Sequence, residues 1–465
     1  MKKVLIVAYY FPPISASGST RPLGFCRYLE QYGWEPRVLT TTPASVNPPQ
    51  QVDMSLCNML PLGLKIDTVP HPNPFQSIIS VRNRIREQVH QMLHPRNRQM
   101  ASLTFSNANL SNERNGMLNG RLSALKDLVV DWTFSFPDKQ CFWFGPAVRS
   151  LSGIPREDYP DIVFATGNPW TSFLVGKRLS ERYGVPFIAD FRDPWTGHPP
   201  YGQFRSPILT QKARQLERAV CMAASRVVVN TEELRQKFCI DHPELEQKCV
   251  AITNGFDGNA LRRTGHDEYL RDPENKPVLD LSHFGTVYGN RNPLPLFQAV
   301  TELLEANLIQ AHQLRLRFVG LWEVADDRCE ALMRALEKRG VVRREAPLSR
   351  EKYLEELAQS SLLLVLQADF PLQIPAKLYE YVASRRPILV IGNEGATANL
   401  VNRHRLGRCC PNDVSAIKEL LWSLIQGHTQ IKSPPQTEIT QFHYRVLTGK
   451  LASVLDQACA EMARL

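Results

Sequence analysis

A chain of 465 residues is longer than one ordinary hydrophobic core organises, so two domains are expected. Its 43% apolar content fits a soluble globular protein, and no apolar run approaches the roughly 18 residues of a membrane-spanning helix. The formal net charge of +9 points to an anionic partner, the candidate classes being phosphates, an acidic membrane surface and nucleic acid.

The opening MKKVLIVAYYFPP has the superficial look of a secretion signal. Its apolar run is short, ends in Tyr9-Tyr10 and Pro12-Pro13 and lacks a small-residue cleavage site, so residues 4–9 read as a first buried strand. The loop FPPISASGST follows, with small residues around Gly18 that let a ligand approach backbone N–H groups and with Arg21 at its exit. A helix over 22–32, closed by Gly33, and a strand over 37–40 make the opening β-loop-α-β, although no dinucleotide GxGxxG pattern is present. Between about 75 and 144 the character changes. Ile78, Val81, Ile85, Val89 and Met92 form an apolar stripe flanked by Arg82, Arg84, Arg86, Arg96 and Arg98. Such a basic amphipathic helix suits an anionic membrane surface, and a helical insertion packed on its own domain is the alternative.

Residues 161–166 read as a core strand, 171–183 as a helix closed by Gly184, and 186–190 as a strand running into FRDPWTG. Open α/β sheets place ligands at the carboxyl edge, so Asp190, Arg192 and Asp193 are expected to point at a cleft; internal pairing of Arg192 and a simple Asp193-Pro194 turn is the competing reading. Helix 211–224, strand 227–229, Thr231 as an N-cap, helix 232–238 and strand 250–252 complete the first half, and the polar run 262–277 reads as a linker.

A second series begins with strand 279–284 and the loop GTVYGNRNP. Gly285 and Gly289 permit close backbone approach, Thr286 between them is a candidate ligand-binding residue, and Arg291 supplies a cation near the helix expected over 294–307. Strand 315–319, helix 326–338, strand 341–343, a helix after Ser349 and strand 362–366 lead to IPAKLYEYVASRRPILVIG. Pro375 suits the first position of a helix that Arg385-Arg386-Pro387 ends before a strand over 388–391. Lys377 is unusual there, because a cation in the first turn opposes the helix dipole unless lysine and helix start together hold an anion such as a diphosphate. Glu380, one turn on, can accept from both hydroxyls of a ribose; a solvated i,i+3 pair with Lys377 is the alternative. A helix over 414–425 ends the domain, and Pro434-Pro435 links it to a last helix over 442–462.

Several chemistries lack their motifs. There are no aspartates two apart, no HExxH, no GxxxxGK[ST], no GxSxG and no zinc-type Cys/His spacing. The ten cysteines contain no CxxC pair and read as reduced thiols of a cytoplasmic protein. Nucleic acid is not expected, since basic-aromatic interleaving is missing.

Two Rossmann-like halves with an anion site in the second describe an α/β fold of GT-B type. YYFPP, GSTRPLGF, GWEPRVLT, ADFRDPW, ITNGFD, HFGTVYGNRNPLPLFQAV and IPAKLYEYVASRRPIL, in this order and spacing, resemble the retaining family 4 glycosyltransferases, especially those building bacterial surface polysaccharides. The resemblance implies an acceptor domain over 1–262 carrying the insertion, a nucleotide-sugar domain over 275–430, and a C-terminal helix over 435–465 returning to the first domain. It further implies hexosyl transfer from a UDP- or GDP-linked sugar to a glycan or lipid-linked acceptor, with retention and without metal or other cofactor, on the inner face of the cell membrane. Glu380 matches the ribose-binding second glutamate of the family's E-x7-E pattern. The first glutamate is replaced by Leu372, leaving Gln373 or Asp369 to contact the donor sugar. Arg291 matches the residue gripping the diphosphate, Lys377 stands in for a companion lysine, Gly18 matches the donor-facing loop, and Asp190 and Asp193 occupy the segment that positions donor or acceptor. A nucleotide-sugar epimerase of the same fold and a catalytically inactive scaffold relative are the rival expectations.

Overall fold

The structure is a computed structural model that describes residues 1–46, 50–72, 131–133, 135–197, 204, 206–257 and 278–464. The basic stripe from Ile78 to Arg98 and the linker over 262–277 lie outside the described residues.

The first sheet comprises β1 (Lys2–Ala8), β2 (Trp34–Thr41), β3 (Lys65–Val69), β4 (Ile162–Gly167), β5 (Phe187–Phe191), β6 (Arg226–Val229) and β7 (Cys249–Ala251). All seven are parallel, in the order β3-β2-β1-β4-β5-β6-β7. The second contains β8 (Leu279–Phe284), β10 (Leu314–Val319), β12 (Val342–Glu345), β13 (Leu362–Gln367), β14 (Ile388–Gly392) and β15 (Arg408–Cys410), in the order β12-β10-β8-β13-β14-β15. A short parallel pair joins β9 (Val287–Tyr288) to β11 (Trp322–Glu323). This is an α/β architecture of two facing Rossmann-like domains, as expected. The central strands are buried end to end because helices cover both faces, which is why they read as continuous apolar runs. The edge strands β3, KIDTV, and β15, RCC, carry no such run and are not predictable from pattern.

Strand order reverses between β1 and β4 in one sheet and between β8 and β13 in the other. At such points the connections leave the sheet in opposite directions and open a crevice at the carboxyl ends. The loops after β1, β4, β8 and β13 therefore border the space between the domains.

The helices Thr171–Tyr183 and Val414–Ile425 fall where periodicity places them, and Thr231 accepts from the Leu234 N–H as an N-cap at 3.1 Å. Pro375 does not take the first helical position: the helix is Lys377–Ser384 after an Ala376 cap, and Pro375 contributes its carbonyl to the Leu378 N–H of the entering turn. The last helix, Tyr444–Met462, returns to the first domain, where Tyr444, Leu447, Leu451 and Leu455 share an apolar cluster with Phe25, Leu29 and Trp34. It is threaded there by Phe256, whose N–H donates to the Phe442 carbonyl and whose own carbonyl accepts from Tyr444, both at 3.0 Å. Among the described residues, no helix is long and apolar enough to cross a membrane.

The first domain is tied through its middle by a buried ion pair. Arg21, at the start of helix Thr20–Leu29, donates from Nε and Nη2 to Asp190 on β5, with the closest contact at 2.8 Å, and neither side chain is more than 1% exposed. Nη2 also reaches the Ile252 carbonyl, Nη1 reaches the Thr253 carbonyl, and Thr166 donates to Asp190 Oδ2 at 2.7 Å. Both charges are fully hydrogen-bonded, so removing one partner strands the other. Arg21→Met is expected to destabilise the chain by about 3–5 kcal/mol in urea unfolding. A loss under about 1 kcal/mol, typical of a solvated pair, would show that water reaches the Asp190 carboxylate.

Candidate functional site

The chain leaves β8 through His283 and Phe284 and turns at Gly285, whose φ of +113° is open to glycine and strained for other residues. The Gly285 N–H donates to Val319 at 2.7 Å, and a Cβ at this position would lie 3.0 Å from Lys377 Nζ, so the missing side chain is the space the ammonium uses. Thr286 is half-buried beside it. The 3-10 turn Gly289–Arg291 then brings the Arg291 guanidinium over the rings of Tyr288 and Phe370, at 4.9 and 5.5 Å to the centroids. Its Nε is buried with no hydrogen-bond partner among the described residues.

The facing wall is helix Lys377–Ser384, seated by Leu378, Tyr379, Tyr381 and Val382, all fully buried. The Phe284 N–H donates to the Tyr381 hydroxyl at 2.9 Å, which fixes the helix against the end of β8. Lys377 Nζ stands 3.0 Å from His283 Nε2, and His283 Nδ1 stands 3.0 Å from the Leu364 carbonyl. Burial first, and the nearby Arg291 second, lower the Lys377 pKa to about 7, with Glu380 pulling weakly the other way. Burial and the same two cations hold His283 well below its ordinary value, so the ring is neutral. Arg291 and Lys377 thus stand close enough that Arg291 disfavours the charge on Lys377, an arrangement that an anion between them would relieve.

Glu380 does not pair with Lys377. Its oxygens accept from Arg350 Nη1 at 2.5 Å and from the Tyr353 hydroxyl at 2.6 Å, both on helix Arg350–Gln359. A carboxylate has about four acceptor positions, so this anchoring leaves lone pairs for a further donor.

The first-domain residues divide into two groups. Asp190 does not face the crevice; it is 0% exposed and committed to Arg21 and Thr166. Arg192 is likewise turned inward, donating to the carbonyls of Gly18, Gly167 and Asn168, while burial lowers its pKa. Gly18 is where this clamp lands, and a Cβ there would collide with the guanidinium. Only Asp193 reaches across, accepting from Gln373 Nε2 at 2.6 Å. Burial raises the Asp193 pKa, against the opposing pulls of Arg192, Gln373 and Arg291, so Arg291 lies within electrostatic reach of the first domain.

Asp193, Gly285, Arg291, Gln373 and Lys377 therefore converge, Glu380 stands one helical turn away, and Asp190, Arg192 and Gly18 form the support behind them. Asp369 is exposed. Leu372 packs on the first-domain core, and its carbonyl accepts from Thr231 Oγ1 at 2.8 Å. Three participants are not singled out by sequence reasoning. Arg350 and Tyr353 carry no signal beyond an ordinary amphipathic helix. His283 does carry one: it is a histidine near the end of an otherwise apolar strand, two residues before the turn glycine. Among the described residues, no three His, Cys, Asp or Glu side chains gather as a metal site would require.

Residues 120–240 match the sequence profile of a family described as "Glycosyl transferase 4-like domain". A search of curated proteins finds no match to the chain. Solved structures similar to it over nearly the whole length include a glycosyltransferase from Rickettsia africae, 12% identical, covering 98% of each chain with a TM-score of 0.54. HepE from Anabaena in complex with UDP is 12% identical, covers 100% of both chains and has a TM-score of 0.53. Starch synthase IV from Arabidopsis thaliana, bound to ADP and acarbose, is 9% identical, covers 100% of this chain and 99% of that one, and has a TM-score of 0.56. The fold is GT-B.

The depressed Lys377 pKa has a measurable sign. Between about 7 and the ordinary lysine value of 10.5 the unfolded chain binds more protons at this site than the folded one. The Lys377 contribution to stability therefore rises with pH across that window. An anion in the crevice favours the charged form, so binding of UDP, whose diphosphate is already fully ionised at pH 8, is expected to take up most of one proton at that pH. Calorimetry in buffers of different ionisation enthalpy reads this directly. Uptake that persists in Lys377→Met would assign the proton elsewhere.

Proposed function

We propose that this protein is a glycosyltransferase that moves a hexosyl group from a nucleotide diphosphate sugar to a glycan or lipid-linked acceptor. The observation that carries the reading is the convergence of two basic side chains after β8: Lys377 Nζ beside His283 and Gly285, and the Arg291 guanidinium over Tyr288 and Phe370 with its buried Nε without a hydrogen-bond partner among the described residues. As the sugar–phosphate bond breaks, negative charge accumulates on the departing diphosphate. Fixed cations placed at the departing diphosphate stabilise that charge more than they stabilise the intact donor, which lowers the barrier. Glu380, braced by Arg350 and Tyr353, is assigned to the ribose hydroxyls. Asp193 and Gln373, joined across the domains, are assigned to the donor sugar or the incoming acceptor hydroxyl. Asp190 and Arg192 act at one remove by holding the Gly18 loop and the ends of β4 and β5 in place.

Retention of anomeric configuration, independence from metal and a surface-polysaccharide product are included in the proposal on the strength of the motif resemblance. The net charge of +9 supports an anionic acceptor or membrane surface. UDP bound to the Anabaena protein, which shares the fold, supports a nucleotide donor.

Incubation with a panel of UDP- and GDP-sugars and lipid-linked acceptors is expected to release nucleoside diphosphate and form product with retained configuration, read by NMR. Interconversion of two free nucleotide sugars without acceptor would favour an epimerase, and nucleotide binding with no turnover would favour a scaffold. Arg291→Ala and Lys377→Ala are each expected to weaken UDP binding roughly 10- to 100-fold, the worth of a charge-assisted hydrogen bond. Unchanged affinity by calorimetry would remove them from the diphosphate site. Glu380→Gln is expected to weaken UDP while leaving inorganic pyrophosphate near the parent value, and an equal loss for both would deny it the ribose.

A further inference from the structure

His283 is fully buried, one residue from the end of β8, at the point where the strand order of the second sheet reverses. The chemistry of its two neighbours fixes its ring. The Leu364 carbonyl at 3.0 Å can only accept, so Nδ1 carries the proton. Nε2 is then a lone-pair acceptor, and the group 3.0 Å from it is Lys377 Nζ, which as an ammonium can only donate. The Phe318 ring, 5.9 Å away between centroids, packs against the imidazole from the neighbouring strand.

We propose that His283 is a positioning residue for the diphosphate: its Nε2 accepts a hydrogen bond from Lys377 and aims the ammonium past Gly285 into the crevice shared with Arg291. The inference rests on the nucleotide diphosphate reading above and adds how Lys377 is held. A long lysine side chain at a helix start needs an acceptor to fix its direction. A carboxylate in that place would supply one, and it would also cancel the charge meant for the ligand. A neutral imidazole orients the ammonium and leaves its charge uncompensated. The absence of a Cβ at Gly285 opens the path, since one there would sit 3.0 Å from Nζ. The charged groups acting on this pair are Arg291, from the turn after β9, and Glu380, from the helix of Lys377, which is occupied by Arg350 and Tyr353.

Two near-isosteres separate the two jobs of the ring. The asparagine of His283→Asn places its amide where Nδ1 was and keeps the Leu364 partner, but offers nothing to Lys377. The glutamine of His283→Gln extends its amide to where Nε2 was, and its oxygen can accept from Lys377. Calorimetry with UDP, and with uridine as a ligand lacking the diphosphate, is expected to show H283N about tenfold weaker for UDP. Uridine should be unaffected, and H283Q should lie within about threefold of the parent. In a K377A background, H283N should add nothing further, because the group it positions has gone. Overturning results are an H283N affinity equal to the parent's, an H283Q loss as large as that of H283N, or additive losses in the double variant. Each would reduce His283 to packing. The double variant decides the matter if either single substitution lowers the thermal midpoint. A parent chain that binds no nucleotide would instead fail the functional reading itself, and this inference with it.

Discussion

Two basic side chains, Arg291 and Lys377, held close together at the edge of the second sheet, are the constraint on which the local structure of the second domain depends. Water would normally screen such a pair. Here burial removes most of that screening, and Lys377 answers by binding its proton far less tightly than a free lysine does. Local features that look unrelated follow from keeping this arrangement intact. Gly285 leaves room for the ammonium, and Tyr288 and Phe370 hold the Arg291 guanidinium between ring faces. Tyr381 ties the helix that carries Lys377 to the strand that carries His283. Each supports a cation by contacts that bring no opposing charge.

The first domain solves the opposite problem. Arg21 and Asp190 are more deeply buried still, yet every charge there is matched, and the guanidinium bridges β5 to the chain leaving β7. Arg192 continues the same logic with carbonyl partners, stitching the Gly18 loop to the end of β4. Both domains bury basic side chains. In the first, Arg21 is matched by Asp190 and Arg192 by carbonyls, whereas in the second Lys377 is partnered by the neutral His283.

Among the described residues, a short segment of the second domain makes several of the contacts with the first. Leu372 lays its side chain on the first-domain core, its carbonyl takes the Thr231 hydroxyl, and Gln373 takes Asp193. Asn399 adds a bond to Glu233 at 2.7 Å. The position where the motif resemblance implies a glutamate thus holds a leucine packed on the first domain, and a carboxylate acting on Arg291 comes from Asp193 of the opposite domain. In the proposed scheme this substitution moves an acidic group across the cleft without removing it.

Much of this was legible in the chain itself. Continuous apolar runs mark the inner strands because a parallel sheet covered on both faces must bury every residue, and helical periodicity marks the helices between them. Lys377 stands out in the sequence because a helix dipole disfavours a cation there. Local pattern could not reveal what each charge would meet. Asp190, Arg192 and Asp193 look equivalent in ADFRDPW, and only the folded chain turns two of them inward and one toward the other domain. Arg21 and Asp190 are 169 residues apart, and His283 and Lys377 are 94 apart. Charge pairing and ring tautomer are settled by atoms a few ångströms away in space, which spacing along the chain does not encode. The sequence by itself therefore determined the layers and the positions of the basic residues along the chain. The tertiary structure alone decided which charged groups are turned inward and matched, as Arg21 and Asp190 are, and which stand together at the edge of the second sheet, as Arg291 and Lys377 do, because that depends on neighbours far away in sequence.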